Sequence, residues 1–107
     1  MSLDITLTAV KKTEVYSGNC THNLNEMAEA AGIYKHLWRP EELGITTAEQ
    51  LIEPLKEGLK RLLDNPDEYK KFNPSNGWGS YDGFVVFVTN YLNSCKDYPD
   101  AEIHADR

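Results

Sequence analysis

The stretch YSGNCTHN, residues 16–23, places a thiol, a hydroxyl and an imidazole side by side, on Cys20, Thr21 and His22. A cysteine close to a histidine is the pair that thiol nucleophiles use, because the imidazole removes the thiol proton. A working nucleophile also needs a group that orients the imidazole and donors that stabilise an oxyanion, and the neighbouring sequence shows neither. An ordinary thiol behind the start of a helix is therefore the favoured interpretation.

Metal binding is the second chemistry that these residue types allow. The candidate ligands are His22, His36, His104, Cys20 and Cys95, and no two of them stand at HxH, HExxH or CxxC spacing. Two cysteines so far apart do not form a disulfide framework, and we interpret both as free thiols in a reducing compartment. We therefore expect neither a metal nor a cofactor.

The charge balance argues against generic nucleic-acid binding. The chain of 107 residues carries 17 Asp and Glu against 11 Lys and Arg, a formal net charge of -6, which repels a phosphate backbone. No stretch has the pattern of a signal peptide or of a membrane span. The sequence predicts one domain over residues 1–107, located in the cytoplasm and not bound to a membrane.

Alternating patterns at both ends of the chain predict strands. Apolar residues alternate with polar ones from Asp4 onwards, and Val15 and Tyr16 extend or restart this strand before a turn predicted at residues 17–19. Residues 101–106 alternate in the same way and need a partner, which we expect to be the N-terminal strand.

Helical spacing dominates the region between these strands. The pattern predicts a first helix over residues 24–31, with Asn23 as its N-cap, Glu26 completing a capping box and Gly32 ending it. Single turns should follow at YKHLW and PEEL, separated by the bend that a proline imposes.

A long amphipathic helix should begin at a capping box made by Thr46 and Glu49, and Pro54 should either kink it or split it in two. A short helix should follow Pro66. The segment FVVFVTNYLNSC is rich in strand-forming residues, but its polar residues recur at helical spacing and predict a last helix. The fold class is therefore α+β, a small antiparallel sheet of N- and C-terminal strands with three to five helices packed on one face.

Two loops that precede helices carry the candidate binding residues. The THN loop precedes the first helix and the NGWGSY loop the last one, and helix N-termini present free backbone N–H groups to anions. If the loops meet near Arg39, its guanidinium offers a fork for phosphate or carboxylate and the aromatic rings offer stacking. Ordinary capping and turn chemistry is the competing interpretation. The candidate ligand-binding residues are His22, Asn23, Trp38, Arg39, Asn76, Trp78 and Tyr81.

Four segments, THNL at residues 21–24, LWRP at 37–40, NGWG at 76–79 and DAE at 100–102, carry a resemblance that covers nearly the whole chain. Together they resemble a family of small uncharacterised phage and prophage proteins. The resemblance implies a bacterial or viral setting and no established activity. It also implies an aliphatic residue in relatives at the position of Cys20, which weakens the nucleophile hypothesis further.

The leading hypothesis is a non-enzymatic accessory domain of phage type that binds a protein partner or a second copy of itself. Its compartment would be the bacterial cytoplasm, or the host cytoplasm if it is phage-encoded. The alternative is a binder of a small anionic ligand, nucleotide-like or carboxylate, through the two helix starts. A third hypothesis is a small hydrolase that uses His22.

Overall fold

The computed structural model describes residues 2–9, 13–77 and 79–107. The protein is a three-stranded antiparallel sheet with helices covering one face. The strands are β1 (Ser2–Thr8), β2 (Glu14–Thr21) and β3 (Glu102–Asp106), in the spatial order β2-β1-β3. The C-terminal strand β3 pairs with β1. The predicted α+β fold, with strands from both ends of the chain, is confirmed.

Within the described ranges, the strands are joined by five α-helices and two 3₁₀ turns. The helices are α1 (Asn25–Ala30), α2 (Tyr34–Trp38), α3 (Glu49–Asp64), α4 (Pro66–Lys70) and α5 (Tyr81–Asp97), and the 3₁₀ turns are His22–Leu24 and Pro40–Leu43. The prediction of a helix rather than a strand for α5 is confirmed. None of these helices combines the length and the apolar character that crossing a membrane requires.

The period-2 pattern of β1 divides the sheet into a buried face and a polar face. Leu3, Ile5 and Leu7 are at most 1% exposed and belong to the main core, whereas Asp4 between them is exposed. Helix α5 contributes more buried residues to the opposing side of the core than any other described helix, namely Tyr81, Phe84, Phe87, Val88, Tyr91, Leu92 and Cys95. The helices therefore cover one face only, as predicted.

The predicted turn at residues 17–19 is wrong, because β2 continues through it to Thr21. These residues pair with the middle of β1, in the register Thr6–Ser17, Ile5–Gly18 and Asp4–Asn19. The side chain of Asn19 also donates hydrogen bonds to Ser2 and Asp4. Cross-strand pairing thus overrides the turn preference of Ser, Gly and Asn.

The capping predictions at two helix starts are also wrong. Thr21 accepts a hydrogen bond from the Asn23 N–H at 3.4 Å, so Thr21 caps a 3₁₀ turn that precedes α1 and Asn23 is not the N-cap. Before α3, the side-chain oxygen of Gln50 accepts from the N–H groups of Thr46 and Thr47, at 2.8 and 3.1 Å. Glu49 therefore has no part in the predicted box.

Helix α3 runs unbroken through Pro54, so the interpretation of two separate helices is wrong. Its close approach to the α1–α2 turn depends on Gly58, where an added Cβ would lie 2.4 Å from Cγ2 of Ile33. Gly32 ends α1 with a φ of 78°, as predicted. Small residues thus set how closely this part of the helical layer packs.

Replacement of Gly58 by alanine should destabilise the protein. Alanine has the better helix propensity by about 1 kcal/mol, but overpacking against Ile33 should outweigh it and lower the free energy of unfolding by about 1–2 kcal/mol. Urea denaturation measures the change. In an Ile33→Ala background the methyl group has room, so the same substitution should cost less there, and an equal cost in both backgrounds would contradict the packing argument.

His36 on α2 lies in an environment that disfavours its charged form. Its Nδ1 atom is buried and has no hydrogen-bond partner among the described residues. Burial, and secondly the positive charge of Arg61, lower the pKa of His36 below its ordinary value of 6.5. Arg61 itself is fixed there, because its Nε donates to the carbonyl of Ala31 at 3.0 Å.

The stability of the protein should therefore fall as the pH drops through the ordinary His pKa of 6.5. Above that pH the imidazole is neutral in both states and contributes nothing, whereas below it the unfolded chain takes up a proton more readily than the folded one. Urea midpoints at neutral and mildly acidic pH measure the loss, which should be smaller in His36→Gln. His104→Gln, which removes an exposed imidazole, is the matched control, and the same loss in all three proteins would overturn the assignment.

Candidate functional site

The two loops singled out in the sequence meet and form a polar pocket of about 490 Å³, lined by His22, Asn23 and Asn76 among others. Gly79 makes this meeting possible. An added Cβ there would lie 2.7 Å from Cγ2 of Thr21, and its φ of 101° is one that residues with side chains rarely adopt. The second loop therefore lies directly against the end of β2 and the start of the first 3₁₀ turn.

Half of the described residues around this pocket have uncharged side chains that can donate hydrogen bonds. The polar uncharged residues are Asn23, Asn25, Asn73, Ser75 and Asn76, and the charged ones are Glu26 and Lys71. Asn73 is held in place because its Oδ1 accepts from the backbone N–H of Tyr81 at 2.7 Å. Lys71 is well exposed and lies 3.4 Å from the carboxylate of Glu68. One cation and one carboxylate thus face a set of neutral donors and acceptors.

His22 forms part of the pocket wall, but one nitrogen of its imidazole ring is not accessible to a ligand. Its Nε2 is buried and has no hydrogen-bond partner in the described ranges. The ring packs at an angle of 59° to the ring of Trp38, with 6.2 Å between their centroids. A ligand in the pocket can therefore touch His22 only through its other atoms, and proton transfer through Nε2 is blocked.

Arg39 does not line the pocket, which corrects the expectation of a guanidinium fork between the loops. The chain bends at Arg39 before Pro40, and the guanidinium turns to other partners. Its Nε donates to the hydroxyl of Tyr34 at 3.4 Å and its Nη1 to the carboxylate of Glu42 at 3.1 Å. These two hydrogen bonds raise the pKa of Arg39, so it stays a cation engaged on the surface.

Two of the three aromatic candidate residues belong to the core and not to the pocket. Trp38 is 2% exposed and stacks on Tyr34, with 5.4 Å between the ring centroids, so it is a core residue. Tyr81 is 6% exposed and its hydroxyl donates to the carbonyl of Leu62 at 2.6 Å. Neither ring is therefore available for stacking on a ligand, and Trp78 lies outside the residues that the structure describes.

The pocket also contains residues that the sequence analysis missed. Lys71 and Asn73 follow α4, and Asn25 and Glu26 belong to the first turn of α1. The run NPSN after a lysine pair was a usable signal, because small polar residues beside a proline rarely serve the core. Only the tertiary contact between the two loops shows that they share one cavity.

The cysteines are not poised for chemistry. Cys20, at the end of β2, is 5% exposed, and its thiol points to the carbonyl of Thr21 at 3.7 Å. Burial raises the pKa of Cys20 to about 12, and it does the same for Cys95 on α5. A reactive cysteine needs the opposite shift, so the opening stretch YSGNCTHN is a strand that runs into a helix start.

No family model, no curated protein and no solved structure matches the chain. These comparisons give no support to a phage or prophage origin, which stays a prediction. In the parts of the chain that the structure describes, no three His, Cys, Asp or Glu side chains are grouped so that they could share a metal ion.

Native protein should resist alkylation at both cysteines. With a pKa of about 12, only about one thiol in ten thousand is ionised at pH 8, and burial also excludes the reagent. Intact-mass spectrometry after treatment with iodoacetamide should show no adduct on the native protein and two adducts after unfolding in urea. Rapid single alkylation of the native protein would contradict this assignment and revive a reactive thiol.

Proposed function

We propose that the protein is a binding domain whose polar pocket takes a small carboxylate-bearing molecule. The observation that carries this proposal is the convergence of His22, Asn23 and Asn76, from two distant loops, on one cavity of about 490 Å³. That volume lies within the range of pockets that hold small molecules. The cavity is formed around loops, where binding residues are commonly found.

The side chains around the pocket suit oxygen acceptors. Asparagine amides and the Ser75 hydroxyl donate hydrogen bonds, and Lys71 supplies a positive charge for a carboxylate. Glu26 opposes that charge, so a singly charged ligand fits better than a nucleotide with several phosphates. Its carboxylate can also accept from a hydroxyl or amino group on the ligand, which favours hydroxy and amino acids over simple fatty acids.

Binding without chemical conversion is the simplest use of this pocket. The nearest thiol, Cys20, is buried and holds its proton. The imidazole of His22 has its Nε2 buried without a hydrogen-bond partner among the described residues and therefore makes a poor proton shuttle. The hydrolase hypothesis consequently receives no support from the described residues around the pocket.

A thermal-shift titration with glycine, lactate, acetate, phosphate and AMP tests the proposal. A ligand at about 100 times its dissociation constant should stabilise the folded state by about 2.7 kcal/mol, which raises Tm by several degrees. Lactate or glycine should give the largest shift, and Lys71→Ala should reduce it strongly because the carboxylate loses its cation.

Two variants serve as matched controls for this titration. Lys60→Ala removes the same charge from an exposed position of α3, and Arg39→Ala removes the cation that the structure places outside the pocket. Both should keep the full shift. Absence of a shift with every probe, or equal shifts in Lys71→Ala and Lys60→Ala, would rule out a carboxylate site here.

A further inference from the structure

In residues 2–9, 13–77 and 79–107, backbone hydrogen bonds cover the outer edge of β3 only at its start. The N–H of Ile103 donates to the carbonyl of Thr46 at 3.0 Å, so this residue turns its backbone polar groups away from β1. Thr47 forms an isolated bridge with Glu102 beside it. Because alternate residues of a strand in an antiparallel ladder face the same edge, Ala105 also presents its N–H and C=O outward. Among the described residues, no backbone hydrogen bond from outside the sheet reaches Ala105.

A groove of about 580 Å³ follows this uncovered edge. It lies between β3 and the chain from Pro40 to Thr47, which pairs with the start of β3 and then diverges from it. Ile45, Ile103 and Ala105 give the groove apolar wall atoms. Its position is where a neighbouring strand would continue, and its size suits a short extended segment rather than a folded element.

The groove and the adjoining sheet surface carry an excess of carboxylates. Glu102 and Asp106 are exposed on β3, and Glu41 belongs to the facing wall. Asp106 also stands directly opposite Asp4 of β1 in the strand register. Like charges in opposed positions destabilise a sheet, and a cation beside Asp106 would relieve the repulsion.

Arg107 already pairs with one carboxylate of this region. Its guanidinium forms an ion pair with Glu41 and donates to the carbonyl of Trp38 at 3.0 Å. The hydrogen bond from Arg107 lowers the pKa of the Glu41 carboxyl. The Glu41 carboxylate therefore stays ionised, and Arg107 compensates its charge, so the uncompensated carboxylates of this region are those on β3.

We propose that the free edge of β3 binds an extended basic segment of a partner protein as a fourth strand. The segment would accept a backbone hydrogen bond from the N–H of Ala105 and donate to the carbonyls of Ile103 and Ala105, since the N–H of Ile103 already donates to Thr46. Since side chains of a strand alternate between faces, Lys or Arg at every second position would lie beside Glu102 and Asp106. Small apolar residues between them would face Ile45. This site is separate from the polar pocket and does not depend on it.

The charges favour this occupant over a second copy of the chain. A partner β3 added edge to edge would bring its own Glu102 and Asp106 next to the first set, which costs energy. The formal net charge of -6 adds to the repulsion between copies and attracts a basic partner. For the hypothesis of a protein partner, the proposed binding surface is the edge of β3 and the proposed ligand is a basic extended segment.

A blocked peptide of alternating Lys and Val is the probe, with an alternating Glu and Val peptide and an N-methylated Lys–Val peptide as controls. NMR titration of the ¹⁵N-labelled protein measures the dissociation constant, and hydrogen exchange measures the protection of the Ala105 amide. The Lys–Val peptide should bind and slow exchange at Ala105 at least about tenfold. The Glu–Val peptide should not bind, and N-methylation should weaken binding at least about tenfold because it removes the backbone donors.

The double variant Glu102→Gln, Asp106→Asn should weaken binding of the Lys–Val peptide about threefold to tenfold, as expected for two exposed ion pairs. Glu53→Gln, Asp67→Asn removes the same charge from exposed positions of α3 and α4 and should leave the dissociation constant almost unchanged. Full binding by the N-methylated peptide, or equal weakening by both double variants, would overturn the proposal. Either result would show that the peptide binds through non-specific electrostatic attraction to an acidic protein. Protection of Ala105 in the concentrated free protein, together with a doubled mass in sedimentation, would overturn it in favour of self-pairing.

Discussion

The alternation of β1 is the constraint on which the rest of the structure depends. β1 is the central strand of the sheet, and its residues Leu3, Ile5 and Leu7 fix which face the helices cover. A shift of one residue in either neighbour would bring polar side chains into the core, so both registers are fixed. The register with β2 brings His22 to the polar pocket and Thr21 against Gly79. The register with β3 sets Asp106 opposite Asp4 and defines the acidic edge.

Close backbone approach is the second constraint. Gly58 lets α3 lie against Ile33, and Gly79 lets the last loop lie against Thr21. At both positions an added Cβ would overlap a neighbouring side chain, so in a closely packed interior any side chain there is destabilising. The pocket is therefore a consequence of how closely the two loops approach and not of one motif. This explains why its wall combines residues that are remote in the sequence.

Local patterns were sufficient where the local preference and the tertiary structure agree. The strands at both ends, the left-handed Gly32 and the helix α5 followed from spacing alone. The pattern failed at residues 17–19, because the preference for a turn is weaker than pairing along β1. The chemistry of Arg39 and Tyr81 predicted that both belong to a binding site. In the structure, Arg39 donates a hydrogen bond to the carboxylate of Glu42 and Tyr81 donates one to the carbonyl of Leu62. Such partners cannot be identified from sequence spacing, because each depends on the packing of separate elements.

The two proposed sites would place ligands of opposite charge on a protein with one net charge. In the proposed pocket, the charges of Lys71 and Glu26 oppose each other, so recognition of a carboxylate would depend on short-range hydrogen bonds from amides. At the strand edge, Glu102 and Asp106 would act together with the overall negative charge, while Glu41 is paired with Arg107. Long-range attraction therefore favours a basic segment at the edge, while the pocket must overcome the same field to hold an anion. Salt screens both Coulomb interactions. It should weaken the attraction of a basic segment to the strand edge and also weaken the repulsion of an anion from the pocket.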